Sequence, residues 1–149
     1  MADVKVITLW QPWASLWLTT RKVHETRHWR TNYRGELAVH AAKRECDYAV
    51  DAGLEDVCIQ EFGSRWRDHL PRGKIIGVVQ LIDCYSSNDR FPLDNSDRIC
   101  GNFRPDRWLW KRGQFLKLAR PFPIVGKQRI WNGPDVVLGR IDAFAEPTA

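Results

Sequence analysis

The chain has 149 residues, 44% of them hydrophobic and 28% charged, long enough for one domain to bury most of its unfolded surface without disulfide or metal staples. Lys+Arg exceed Asp+Glu by 23 − 18 = +5, which favours an anionic partner such as nucleic acid or a nucleotide. No apolar run approaches the roughly 20 residues that span a bilayer, so no membrane partner is expected.

Residues 4–9 alternate around Lys5 and Thr8 and predict a strand. Gln11-Pro12 starts a short helix, because proline suits a first turn whose N–H has no partner in any case. Trp13, Leu16, Trp17 and Thr20 then keep the spacing of a buried helical stripe, and the helix ends near residues 19–21. Residues 23–29 read as a strand with Val23, Glu25, Arg27 and Trp29 on one face and His24, Thr26, His28 and Arg30 on the other. A carboxylate and a guanidinium thus lie between Val and Trp on the face with the better claim to burial. Charges there must pair, since each costs several kcal/mol on leaving water.

A loop at 32–35 leads to a second alternating strand at 36–41. Residues 43–70 predict helical structure punctuated at Gly53 and Gly63. After a turn at 71–73, residues 74–84 form the strongest strand, apolar on both sides, with Asp83 read as a turn residue at its exit. Residues 86–106 are polar and turn-rich, about twenty in number, which exceeds an ordinary connection and points to a functional loop, a flap or short helical turns. Residues 107–118 return to strand patterning with a bulge or kink at Gly113, and Pro121-Phe122-Pro123 breaks the chain. A basic-aromatic stretch at 124–131 and a turn at 132–134 follow, with a strand or a short helix at 136–144. The expected fold is α+β, a small mixed barrel with helices around it, spanning residues 1–149 as a single domain.

Four cysteines (Cys46, Cys58, Cys84, Cys100) show no CxxC and no regular spacing, and read as reduced buried thiols in a cytoplasmic compartment. Zinc ligation by these thiols with His24, His28, His40 or His69 has no support from spacing, so neither metal nor cofactor is expected. His24 and His28 read as surface residues on the polar strand face.

Five ordered segments carry a resemblance: TLWQPWASL, KVHETRHW, NYRGELAVHAAK, GKIIGVVQLIDC and PFPIVGKQRIWN. Their order and spacing resemble the ASCH (activating-signal-cointegrator homology) domain of the PUA-like superfamily, over roughly residues 5–132. The family motif GxKxxExR is matched by Lys22, Glu25 and Arg27, with Thr20 where the family has glycine. The resemblance implies a PUA-like β-barrel with peripheral helices and a basic cleft, and a role in binding RNA or DNA. Small bacterial members resemble enzymes, with amidohydrolase activity on N-acylated cytidine or ribonuclease activity. In the amidohydrolase type the position three after the motif Lys is a Thr nucleophile; here it is Glu25, which cannot take that part.

The expected cleft contains Lys22, Glu25, Arg27, Trp13, Tyr33, Arg34, Lys127, Arg129, Trp131 and Asn132, with Lys43 and Arg44 at its rim. Its ligand is nucleic acid, RNA or single strands ahead of DNA. Lys22 and Arg27 would hold phosphate, or Lys22 and Glu25 would act in catalysis if the domain is an enzyme; a structural ion pair between Glu25 and Arg27 accounts for the same residues. Trp10, Trp13 and Trp17 follow helix periodicity and read as core, whereas Trp29 and Trp131, beside Arg and Lys, are candidate stacking rings. On these expectations Lys22→Ala weakens binding, Arg27→Ala unfolds the domain, and a protein partner would dock on the 86–106 loop.

Overall fold

A computed structural model describes residues 4–45, 50–89 and 94–133. Its elements in chain order are β1 (Val4–Leu9), α1 (Trp13–Leu16), β2 (His24–Arg27), β3 (Gly35–Ala41), α2 (Ala52–Phe62), α3 (Trp66–His69), β4 (Lys74–Ser86), α4 (Asn95–Ile99), β5 (Trp108–Pro123) and β6 (Ile130–Gly133). The strands form one mixed six-stranded sheet in the order β2-β5-β4-β3-β1-β6. Only β1 and β3 pair in parallel among the described strands. Among the described residues β2 and β6 are the two edges, and the described strands form an open sheet where a barrel was expected. The expected position at 136–144 and Cys46 lie outside the described residues.

The long strands curl the sheet. β4 and β5 pair over most of their lengths, but the register slips three times: between Ile75 and Gly77, opposite residues 118–121, between Val79 and Leu81, opposite Gly113, and between Leu81 and Asp83, beside Arg112. Extra residues on one strand of a pair bend it and raise its twist. The expected kink at Gly113 is therefore real, and it turns the Arg112 side chain inward, where only 8% of the residue is exposed. Pro121 and Pro123 do not break the chain: β5 runs through them, paired with β4 at Pro123↔Lys74. Proline is tolerated there because β2 covers β5 only at 108–111, leaving this end an edge on that side. Asp83, expected as a turn residue at the strand's exit, instead pairs within β4, which runs on to Ser86, and its exposed side chain is 3.8 Å from Arg34.

The sheet buries Ile7, Leu9, Leu37, Val39, Val79 and Leu81 together with Ala14, Trp17 and Leu18 from α1 and its exit. A second cluster (Val6, Ala38, Ile75, Leu118, Phe122, Trp131) fills the opposite side. That pairing matches β1 and β3, whose successive residues feed alternate clusters. A third cluster joins Leu16 to α2, α3 and Cys100. The broad helical region of the sequence resolves into α2 and α3, with Gly63 at φ 94° ending α2 and Gly53 inside its first turn. Asp51 caps α2 by accepting from the Leu54 N–H at 2.8 Å. Cys58, Cys84 and Cys100 are free thiols, and burial pushes the Cys58 thiol up to about 12, which keeps it protonated and unreactive. No helix among the described residues is long and apolar enough to cross a membrane.

Candidate functional site

The loop from α1 to β2 is held from inside. Gln11, just before α1, ties the helix start down, its Oε1 accepting from the Ser15 N–H at 3.0 Å while its Nε2 donates to Pro71 O at 2.9 Å. Trp17 donates from Nε1 to Val23 O at 3.0 Å. Arg112 reaches up from β5 and donates to the carbonyls of Trp17 (2.8 Å), Lys22 (3.1 Å), Gly113 (2.9 Å) and Thr19. One guanidinium thus gathers the carbonyls of a loop that has no ladder of its own.

Lys22 lies beneath this loop with no exposed surface, its ammonium donating to Cys100 O at 2.7 Å and to Glu25 Oε1 at 3.1 Å. This corrects the expectation that Lys22 faces a ligand. Every polar contact it makes is internal, because residues 95–103 fold over β2. The same cover corrects the reading of His24 as a surface residue. Its Nδ1 is 2.6 Å from Asp97 Oδ2, and its Nε2 meets the Tyr85 hydroxyl. Asp97 also accepts from the Val23 and His24 N–H groups at 2.9 and 3.1 Å. Burial pushes the Asp97 carboxyl up, but these hydrogen bonds outweigh it and hold the pKa below its usual value. His28, by contrast, is exposed as expected. The 86–106 segment is therefore partly spent on covering the motif, and removing it would uncover Lys22 and His24.

Beside the motif lies a cleft of about 1530 Å³. β2 contributes Glu25, Thr26 and Arg27; residues 123–129 contribute Lys127 and Arg129; and the stretch before α2 contributes Lys43 and Arg44. Trp10, Trp13, Trp29, Arg72 and Arg107 also line it. Of the expected site residues, Trp13, Glu25, Arg27, Lys127 and Arg129 come together in this cleft. Lys22 lies under it, and Tyr33, Arg34, Trp131 and Asn132 are elsewhere. Tyr33 donates to Glu36 O, and Arg34 turns to Thr31 O at 3.0 Å. Trp131 is 8% exposed within the second core cluster, and Asn132 accepts from Lys5 at 2.5 Å. Period-two reading of a short strand places such residues on a face but cannot say which face the chain later covers.

Trp29 is half-buried, stands edge-to-face with Trp110 at 4.7 Å, and has Arg129 and Arg27 over its ring at 5.3 and 6.0 Å. Trp10 and Trp13, expected in the core, are only half-buried and line the cleft, whereas Trp17 is fully enclosed. Arg129 sits in the left-handed region at φ 62°, a conformation that costs a non-glycine residue roughly 1–2 kcal/mol. Gly126 brings the same segment down onto His40: a Cβ there would lie 2.5 Å from His40 Cε1. Arg72 lies within the 71–73 turn and Arg107 just before β5, so only the fold brings them to the cleft.

A scan against family models matches the ASCH domain over residues 7–96, more than half of the chain. The chain belongs to the ASCH domain family. It is 29% identical over 128 residues to human activating signal cointegrator 1 and 29% over 131 residues to the mouse protein, covering 85% of this chain in each case. The match spans only 22% of the length of either relative. Among solved structures, ZmASCH from Zymomonas mobilis, crystallised as a mutant, superposes with a TM-score of 0.55 at 11% identity, over 97% of this chain and 100% of that one. At that identity the likeness speaks for the fold alone.

Within this ASCH domain the KxxExR motif divides its labour by depth, Lys22 inside, Glu25 at the wall and Arg27 half-exposed in the cleft. No group of three or more His, Cys, Asp or Glu that could hold a metal occurs among the described residues. His40, also on the cleft wall, accepts from the Thr8 hydroxyl at Nδ1 (3.1 Å) and donates from Nε2 to Ile124 O at 2.8 Å. Burial lowers its pKa below the usual 6.5, partly opposed by backbone hydrogen bonding. The unfolded chain therefore takes up this proton first as pH falls, so the stabilising contribution is complete above 6.5 and is lost on acidification below it. Thermal melts from pH 7.5 to 5.5 should show a falling Tm, and His40→Gln should lower the Tm at pH 7.5 while flattening that slope. An unchanged slope in the variant would assign the effect elsewhere.

Proposed function

We propose that this ASCH domain binds nucleic acid in the basic cleft, RNA or another single strand ahead of duplex DNA. The observation that carries the reading is the lining. Seven cations (Arg27, Lys43, Arg44, Arg72, Arg107, Lys127, Arg129) share one cleft with two acids, Glu25 and Asp51. Half-buried Trp10, Trp13 and Trp29 are interleaved with them, the combination in which phosphates are held and unstacked bases find a ring. Asp51 is engaged as the cap of α2, so the field over the cleft is positive. The proposal includes a curled PUA-like body acting as a monomer in the cytoplasm.

A hydrolase acting on RNA or an N-acylated nucleoside gains nothing from Lys22, which is enclosed and cannot reach a substrate. The Thr26 hydroxyl, on the cleft wall but buried, is already engaged, accepting from the Asn102 N–H at 3.1 Å. The cointegrator name of the curated relatives suggests a protein partner for those proteins, but the 86–106 segment here is engaged in covering β2.

The test is a titration of labelled single-stranded RNA at increasing salt. With about four phosphates neutralised, affinity should fall on the order of fifty-fold between 50 and 200 mM salt. The double substitution Lys127→Ala/Arg129→Ala should reduce the log–log salt slope by about 1.4 without changing the melting temperature. Undetectable binding to RNA and DNA pools at low salt would refute the proposal.

A further inference from the structure

The motif end of the cleft carries a feature that phosphate binding leaves unexplained. Glu25 is 6% exposed and lines the cleft, with Oε1 3.1 Å from Lys22 Nζ and Oε2 3.5 Å from Arg27. A carboxylate held between two cations in this way accepts hydrogen bonds and donates none. Next to it, Arg27 Nε and Arg107 Nε are buried and have no hydrogen-bond partner among the described residues. Arg107 spends one terminal nitrogen on Thr26 O at 3.0 Å, and burial lowers its pKa. A buried N–H without an acceptor is costly, so two of them beside a carboxylate describe a place for a ligand.

A phosphate would satisfy the two donors but would meet the Glu25 charge. A neutral planar group with N–H donors on one edge and acceptors on another satisfies both. Among nucleobases, guanine has two adjacent donors, N1–H and the N2 amine, spaced for the two oxygens of one carboxylate. It also presents O6 and N7 as adjacent acceptors, the pair that arginine reads. Adenine and cytosine place a single amine beside ring acceptors that would face the carboxylate, and uracil offers one N–H between two carbonyls. Trp29, with its flanking arginines, supplies the apolar wall for an unstacked base.

Resting on the nucleic-acid reading, we propose that Glu25, Arg27 and Arg107 form a guanine-selective subsite, while Lys43, Arg72, Lys127 and Arg129 hold the adjoining phosphates. Glu25 takes the N1/N2 edge, and the free Nε groups of Arg27 and Arg107 donate to O6 and N7.

The experiment measures binding of the full chain to fluorescein-labelled U-rich RNA 9-mers with G, A, C or U at the centre, and with inosine, which lacks the N2 amine. The central G should bind on the order of tenfold tighter than the other three standard bases, with inosine between them. Glu25→Gln should remove that preference. Because Glu25 also balances Lys22, its melt is recorded alongside, and Arg107→Gln, which leaves the Lys22–Glu25 pair intact, is expected to reduce the preference independently. Equal affinity for all four bases with a steep salt dependence overturns the subsite but leaves the basic cleft standing, as does preference for another base. Undetectable binding to every oligonucleotide at low salt overturns the cleft reading itself.

Discussion

Replacing Arg112 by Met is expected to destabilise the domain by on the order of 3–5 kcal/mol, a large share of the roughly 5–15 kcal/mol that holds a domain folded. The guanidinium is 8% exposed and is met by neutral carbonyls, those of Trp17, Thr19, Lys22 and Gly113. Its charge is costly to bury, and burial lowers its pKa. Yet its removal leaves several carbonyls without donors, each worth about 1–3 kcal/mol, and the sum is reduced by relaxation of the loop. Stacking over Phe115 at 4.6 Å would be lost as well. Arg112→Lys should recover only a fraction, because one ammonium cannot span carbonyls that a planar fork reaches in several directions. Urea unfolding at neutral pH measures both. A loss below about 1 kcal/mol for the Met variant would mean that the loop is held by Trp17 and Gln11 instead.

Arg112 also shows where the sequence stops being legible. Strands whose alternation records one buried face were readable: residues 4–9 are β1, and 36–41 and 74–84 differ from β3 and β4 by a few terminal residues. The bulge at Gly113 was readable too, but nothing in the pattern says that it directs a neighbouring arginine toward a loop some 90 positions earlier. His24 failed for the same reason. Its alternation was read correctly, yet the partner that buries it, Asp97, belongs to a polar stretch whose composition describes a solvated loop equally well. The prolines of β5 misled because a break and an edge strand share one composition, and pairing alone separates them. The cations of the cleft behaved differently. Lys127 and Arg129 sit on an aromatic-basic segment that announced itself, while Arg72 and Arg107 arrive by topology.

For the motif itself the expected results are inverted from those the sequence suggests. Lys22→Met should destabilise the fold by roughly 3–5 kcal/mol, because it leaves the Glu25 carboxylate with only Arg27 at 3.5 Å and leaves Cys100 O without its donor. The same change should loosen α4 and its flanks on β2, since Lys22 is one of the ties there, with Asp97 on the Val23 and His24 N–H groups and on the His24 ring, and the Asn102 N–H on Thr26. Arg27→Ala, in contrast, removes a half-exposed side chain whose Nε has no hydrogen-bond partner among the described residues, so the domain should stay folded and lose RNA affinity. A double-mutant cycle separates pairing from simple loss of burial: Lys22→Met and Glu25→Gln together should cost less than their sum, by about 1–3 kcal/mol. Urea midpoints for the four proteins, with RNA titrations on those that fold, decide the matter. Additive losses would show that Lys22 and Glu25 are not energetically coupled. A folded Lys22→Met protein that binds RNA tenfold more weakly would return the ammonium to the ligand, against its complete enclosure.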